Sequence, residues 1–83
     1  MPRDKRDAMI EQLHLEIPTE RLMAAMISVF QVRRERAGLD ANNFELSNPM
    51  QQLDEFMKSC SMRQLKMLRG IAKRMILEEV QEH

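Results

Sequence analysis

The sequence predicts an all-α fold, a small single domain of four helices formed by residues 1–83. Residues that favour helices, chiefly Leu, Met, Ala, Glu, Gln, Lys and Arg, dominate the composition. The chain has only two glycines, and its β-branched residues are scattered singly rather than alternating as in strands. Capping patterns and one glycine stop then place the helices at approximately 4–15, 19–37, 49–59 and 62–80.

The first helix is predicted within an N-terminal region, residues 1–17, that is expected to be partly frayed. Its apolar positions are Ala8, Met9, Ile10 and Leu13. Pro18 lacks a backbone donor, and its ring disfavours α geometry at the preceding Ile17. A helix boundary is therefore expected at Pro18, in place of one continuous rod.

The second helix, 19–37, is predicted to end at Gly38, which suits the left-handed C′ position. Every residue from Leu22 to Phe30 is apolar except Ser28, and a helix that is apolar all round is expected to be buried all round. A single chain of this size buries only roughly 60 to 65% of the surface that its unfolded form exposes. The apolar window therefore predicts that two chains complete the core as a homodimeric helical bundle.

Residues 38–48 are predicted to form a polar loop. The segment LDANNFELSN is rich in Asp and Asn, which favour turns. It also carries Phe44 and Leu46, two positions apart. The loop is therefore expected to fold back against the core rather than to extend freely into solvent.

The third helix, 49–59, begins with a capping pattern. Asn48 is the expected N-cap, Pro49 suits the first helical position, and Gln51 is placed to return a hydrogen bond to the cap. The apolar residues expected to share one face are Met50, Leu53, Phe56 and Met57.

The fourth helix, 62–80, begins with the same pattern. Ser61 is expected to cap it, Gln64 to close a capping box, and Cys60 to pack on Leu65 as a hydrophobic staple. Only a few residues separate the third helix from the fourth. The two are therefore predicted to form an αα-hairpin, with a helix-turn-helix as the less favoured alternative.

The fourth helix has a broad apolar face and a basic one. At about 100° per residue, apolar side chains fill half of its circumference, which is more than one core requires. The other half surrounds Gly70 with basic side chains. With those at the end of the second helix, they form a possible basic contact face: Arg33, Arg34, Arg36, Arg63, Lys66, Lys73 and Arg74. The favoured alternative is a solvated face in which Arg74 pairs with Glu78, since charged rows on helices are usually exposed to water.

Methionine is unusually frequent, at nine residues. Its flexible and polarizable side chain suits a surface that adapts to a partner, although it also fills gaps in helical cores. The sequence supports the two interpretations about equally. The predicted interface with a partner or a second copy comprises Leu22, Met23, Met26, Ile27, Phe30, Met57, Met67, Ile71 and Met75.

No catalytic, cofactor or metal site is predicted, and an enzyme is not expected. His14, His83 and Cys60 are too few and too widely spaced to match a zinc site. Copper binding by methionine is disfavoured because the methionines follow core periodicity. A helix N-terminus beside Cys60 could activate its thiol, but no histidine lies nearby in the sequence.

Charge and targeting signals narrow the class of protein. The chain has 13 basic and 13 acidic residues, so it lacks the excess of positive charge typical of nucleic-acid binders. A single cysteine suits a reducing compartment, and neither a signal peptide nor a membrane span is expected. We therefore expect a cytoplasmic protein.

These patterns favour a non-enzymatic regulator or adaptor of bacterial type. It would bind another protein by offering its methionine-rich apolar surface to an amphipathic helix. The alternative is a small dimeric nucleic-acid-binding regulator that uses the basic helix faces on a duplex. Salt separates the two, because phosphate binding weakens steeply as ionic strength rises.

Overall fold

The computed structural model describes residues 4–81, which form four α-helices. They are α1 (Lys5–Glu16), α2 (Thr19–Arg36), α3 (Pro49–Ser59) and α4 (Met62–Gln81). No strand is present within residues 4–81. The all-α prediction is confirmed, and each predicted helix boundary lies within one residue of the observed one. The part of the predicted N-terminal region at 1–3 lies outside the described residues.

Two pairs of consecutive helices pack across each other. α1 packs on α3 and α4, and α2 likewise packs on α3 and α4, with the most extensive contact between α2 and α4. Within each consecutive pair, α1 with α2 and α3 with α4, the two helices make only minor contacts. The short connection between α3 and α4 is as predicted. The prediction that the two helices pack against each other as an αα-hairpin is wrong. Cys60, in the connection, has extended backbone angles (φ −75°, ψ 143°), which direct α4 away from α3.

The core is apolar throughout the described residues, with no buried polar or charged residue. Residues three or four positions apart on each helix meet there, because that spacing places them on one face. The buried side chains are Leu13, Ile17, Leu22, Ala25, Met26, Val29, Leu53, Phe56, Met57, Cys60, Leu65, Leu68 and Ala72.

Gly38 ends α2 as predicted. Its φ of +76° is left-handed, a conformation that glycine adopts without steric penalty. The N–H of Leu39 donates to the carbonyl of Arg34 at 2.9 Å, and the N–H of Gly38 donates to that of Glu35 at 3.0 Å. These two bonds form a Schellman motif, which satisfies carbonyls that the helix end leaves free.

The boundary at Pro18 is also confirmed. Ile17 is extended, with φ −126° and ψ 131°, as the residue before a proline prefers. The carbonyl of Pro18 accepts hydrogen bonds from the N–H groups of Arg21 and Leu22 and so begins α2.

One of the two predicted capping boxes is complete. The N–H of Gln64 donates to Ser61 Oγ at 3.2 Å, and Gln64 Oε1 accepts from the N–H of Ser61 at 2.8 Å. At α3 the N–H of Gln51 donates to Asn48 Oδ1 at 3.3 Å. The return bond there differs from the prediction, because Gln51 Oε1 accepts from the Asn48 side-chain amide instead of the backbone. An asparagine cap offers this nearer donor, whereas serine does not.

The loop between α2 and α3 folds back as predicted. Phe44 is half-buried, and its ring meets Phe30 edge to face with the centroids 6.0 Å apart. Leu46 packs against the core. The loop therefore covers one side of α2.

Burial differs from the prediction at two positions. Met50 is predicted on the apolar face of α3 but is 55% exposed, because it lies in the first turn of α3, before the stripe formed by Leu53, Phe56 and Met57. Ala8 is exposed, since it lies on the side of α1 opposite Leu13. No residue from 22 to 30 is exposed within the single chain, because α3, α4 and the loop cover most of that window.

No helix within residues 4–81 has the length and apolar character needed to cross a membrane.

Candidate functional site

A groove of about 330 Å³ lies between the C-terminal half of α2 and the N-terminal half of α4. We call it the α2/α4 groove. Its lining combines apolar, amide, hydroxyl and guanidinium groups from Ser28, Val29, Val32, Arg33, Arg36, Gln64, Met67 and Ile71. It thus joins Met67 and Ile71 of the predicted interface to Arg33 and Arg36 of the predicted basic face.

The apolar lining of the groove is partly open to solvent. Val32 is 42% exposed and Met67 is 51% exposed, whereas Val29 below them is buried. On α4, Met67 and Ile71 are four residues apart and so project from one side of the helix. The single chain leaves apolar surface here that another molecule can cover.

The charged groups that line the groove are arginines, and no carboxylate lines it. The guanidinium of Arg33 lies 5.6 Å from the centroid of the Phe56 ring, a cation–π contact that restricts its direction. Arg36 is exposed at the end of α2, where the helix dipole favours a cation. The groove is therefore electrostatically suited to a partner that carries carboxylates.

The structure divides the predicted interface residues into three groups. Leu22, Met26 and Met57 are fully buried in the core, so a partner cannot reach them in this structure. Met67 is exposed. The remaining residues are half-buried along α2 and α4: Met23, Ile27, Phe30, Ile71 and Met75. Their contact with a partner stays a prediction.

The predicted basic face is also divided. Arg33 and Arg36 line the groove, and Arg34 Nε donates to the carbonyl of Asp40 at 2.6 Å. Lys73 Nζ lies 3.7 Å from Glu16 Oε2. The other three, Arg63, Lys66 and Arg74, are exposed and have no ion-pair partner within residues 4–81. The expected pair between Arg74 and Glu78 is not formed.

Glu16, at the end of α1, pairs with two basic side chains of α4, Arg69 and Lys73. Arg69 donates to both carboxylate oxygens of Glu16, from Nε at 3.0 Å and from the terminal nitrogen at 3.3 Å. Gln12 Nε2 donates to the same carboxylate at 2.8 Å. The hydrogen bond from Gln12 is the main reason that the Glu16 pKa is lowered. Burial opposes it with the next largest effect, and the charges of Arg69 and Lys73 lower the pKa further. Arg69 and Lys73 therefore link α4 to the end of α1.

Cys60 is a packing residue in this structure. It is 1% exposed and belongs to the same core cluster as Leu65, as the staple requires. Burial raises the pKa of its thiol, and the nearby charges of Arg33 and Arg6 oppose that shift. A raised pKa disfavours the reactive thiolate. Within residues 4–81 no group of three His, Cys, Asp or Glu side chains is arranged to hold a metal ion.

Sequence reasoning missed Ser28, Val29, Val32 and Gln64 as groove residues. Val32 stands alone between polar neighbours in QVRRERAG, and Gln64 was assigned only to the capping box. None of these positions could be assigned to a groove without knowing that α2 crosses α4.

Comparison with protein-family models, curated proteins and solved structures finds no match to this chain.

Proposed function

We propose that this protein is a non-enzymatic regulator or adaptor that binds another protein through the α2/α4 groove. The observation that carries this proposal is the combination of exposed apolar side chains, Val32 and Met67, with a rim whose charges are all positive. The proposed occupant is an acidic amphipathic helix of the partner.

The size and chemistry of the groove agree with this mode of binding. A volume of about 330 Å³ is near the lower end of the roughly 300–1,000 Å³ typical of ligand sites, so it accepts a few anchoring side chains rather than a whole helix. Amphipathic helices present such anchors three or four residues apart. Met67 can adapt to them, while Arg33 and Arg36 pair with neighbouring carboxylates.

We include self-association as a homodimer and a cytoplasmic location in the proposal. Support for a dimer comes from the outer side of α4, where Met67 and Leu77 are 51% and 60% exposed. Gly70 lies between them, and a Cβ atom added there would meet nothing within 4 Å in the single chain. A second backbone can therefore approach α4 closely at this position.

Nucleic-acid binding remains the second candidate. The three unpaired cations on α4, Arg63, Lys66 and Arg74, favour it. The net charge of zero disfavours it, as does the use of Arg69 and Lys73 by Glu16.

A titration with two designed peptides tests the groove. One is an amphipathic helix with leucines three and four residues apart and glutamates elsewhere, and the other has lysine at every glutamate position. We expect the acidic peptide to bind and to shift the backbone amide signals of residues 28–36 and 64–71 in NMR spectra. The basic peptide should not bind, because it opposes Arg33 and Arg36.

Matched variants locate the binding. Val32→Glu and Met67→Glu should each weaken the acidic peptide by at least about tenfold, since each places a carboxylate in the apolar lining. Leu39→Glu is the control, because Leu39 is 53% exposed, close to the 51% of Met67, and lies outside both the groove and α4. Equal losses in all three variants would reject the groove. Binding of a DNA duplex with a steep salt dependence, without peptide binding, would favour the second candidate.

A further inference from the structure

The charges of α4 are separated along its length. The part from Met62 to Arg74 carries five cations and no carboxylate, whereas the part from Met75 to Gln81 carries two carboxylates and no cation. Opposite charges on facing surfaces attract, and like charges repel. A second copy of α4 that runs in the opposite direction therefore places its acidic part beside the basic part of the first. A parallel copy places like charges together instead.

The last five residues of α4, 77–81, are all exposed, and we call them the acidic end. Its apolar residues Leu77 and Val80 are 60% and 68% exposed. Glu79 is paired with Arg21 of α2, whereas Glu78 has no ion-pair partner within residues 4–81. The acidic end is thus an acidic helical segment with uncovered apolar side chains, which is the class of segment that the α2/α4 groove is proposed to bind.

Gly70 marks the centre of the outer face of α4, because a Cβ atom added there meets nothing within 4 Å. At about 100° per residue, Met67 and Leu77 lie within about 60° of Gly70, on opposite sides of it. Glu78 lies about 80° from Gly70 and Ile71 about 100°, both on the side of Met67. That side borders the groove. A helix that packs on the outer face of α4 therefore reaches the groove along this side.

One register of an antiparallel pair covers both exposed apolar residues of the outer face. Met67 of each copy is level with Leu77 of the other when the twofold axis passes beside residue 72, midway between them. Gly70 is then level with Arg74, whose long side chain uses the space that a glycine leaves. In this register no cation of α4 is level with a cation of α4 in the other copy.

The same register directs Glu78 to the groove. In a twofold interface each side of one helix faces the same side of the other. Glu78 of one copy therefore faces the side of the other copy that carries Met67, one residue from its level. Arg36 lines the groove at this place and has no ion-pair partner within the described range 4–81. An unpaired carboxylate of one copy is thus brought to an unpaired guanidinium of the other.

We propose that two copies of this chain associate through antiparallel α4 helices, so that the acidic end of each copy occupies the α2/α4 groove of the other. Met67 contacts Leu77 of the second copy, and Arg36 pairs with Glu78 of the second copy. Each contact occurs twice, because the interface is twofold symmetric.

This inference rests on the proposed function, because it assigns a regulator to the same groove. A partner helix and the acidic end of a second copy cannot occupy the groove at the same time. Self-association therefore closes the groove at high protein concentration. By reciprocity, an acidic partner that binds the groove separates the two copies.

The experiment exchanges the charges of Arg36 and Glu78 between two variants of the full chain. Arg36→Glu leaves two carboxylates at each contact, and Glu78→Arg leaves two guanidinium groups there. Each variant should associate with itself at least about tenfold more weakly than the unchanged chain, because like charges then face each other twice. In an equimolar mixture, every contact of a mixed dimer joins a carboxylate to a guanidinium. The mixed dimer should therefore be at least about tenfold tighter than the dimer of either variant.

Sedimentation equilibrium measures the dissociation constants, and native mass spectrometry separates mixed dimers from the others when one variant carries a heavy-isotope label. Glu45→Arg is the control for the change of charge, since Glu45 is exposed in the loop and lies outside α4 and the groove. It should associate with itself as the unchanged chain does. Leu77→Glu tests a second contact and should weaken self-association at least about tenfold, whereas Leu39→Glu should not. Circular dichroism establishes that each variant is folded.

Several results overturn the proposal. They are a chain that stays monomeric at millimolar concentration, single variants that associate as tightly as the unchanged chain, or a mixture without preference for the mixed dimer. A monomeric chain that binds the acidic peptide would reject the dimer and keep the proposed function. Mixed dimers without any peptide binding would keep the dimer and reject that function. Where both occur, the acidic peptide should dissociate the dimer, and a peptide that binds in the groove without dissociating it would refute occupation of the groove by the acidic end.

Discussion

Gly70 offers a quantitative test of whether the outer face of α4 is occupied. Glycine in a helix interior is less favourable than alanine by about 0.8–1.0 kcal/mol. Gly70 is exposed in the middle of α4, and a Cβ atom added there meets nothing within 4 Å. In an isolated chain Gly70→Ala should therefore stabilise the fold by up to about 1 kcal/mol.

Gly38 is the matched control for this change. A Cβ atom added at Gly38 also meets nothing within 4 Å, but its φ is +76°. Left-handed geometry disfavours alanine by roughly 1–2 kcal/mol. Gly38→Ala should therefore destabilise the protein, although neither substitution creates a clash.

The assay is urea denaturation followed by circular dichroism, with a thermal melt beside it. For a domain of this size 1 kcal/mol corresponds to roughly 4–8 °C in Tm, so the two variants should move the melting temperature in opposite directions. Destabilisation by Gly70→Ala in dilute solution would refute the reasoning about propensity. A dimer that packs on Gly70 is tested by sedimentation equilibrium, because the added methyl should then weaken self-association while the monomer gains stability.

Three further predictions concern titratable groups. The lowered pKa of Glu16 means that its contribution to stability is present above the ordinary value of 4.5 and is lost as pH falls through the folded-state pKa. Glu16→Gln should therefore reduce the acid sensitivity of the urea midpoint. The buried thiol of Cys60, with its raised pKa, should react with a thiol reagent at pH 8 far more slowly in the folded protein than in urea, and equal rates would contradict its burial. Lys66→Glu should change the free energy of unfolding by no more than about 0.5 kcal/mol. Lys73→Glu should destabilise the fold more, because it places a carboxylate beside Glu16. Equal urea midpoints for the two variants would be evidence against the contact between Lys73 and Glu16.

Helix ends were predictable from the sequence because their causes are local. Pro18 acts on the residue beside it, Gly38 supplies a conformation that other residues avoid, and Ser61 bonds to a residue three positions away. Each signal is contained in four or five consecutive residues. The end of α1, both ends of α2 and the starts of α3 and α4 follow from such signals.

Burial and the candidate site were less predictable because they depend on distant residues. Glu16 and Arg69 are 53 positions apart, and nothing in either segment indicates that they meet. The apolar residues from Leu22 to Phe30 indicate that this part of α2 is covered. They do not indicate whether a second chain or the helices α3 and α4 cover it. Periodicity therefore identifies apolar faces, but the crossing of the helices decides which parts of them remain exposed.

The crossed arrangement of the helix pairs determines how the chain can fold. α1 and α2 make only minor contacts with each other, as do α3 and α4, so neither half of the chain has a core of its own. An N-terminal fragment ending in the loop should be largely unstructured by circular dichroism, and so should the complementary fragment, while an equimolar mixture should regain helix. During synthesis on the ribosome, the apolar faces of α1 and α2 begin to be covered only when α3 emerges, and they are covered fully only when α4 follows.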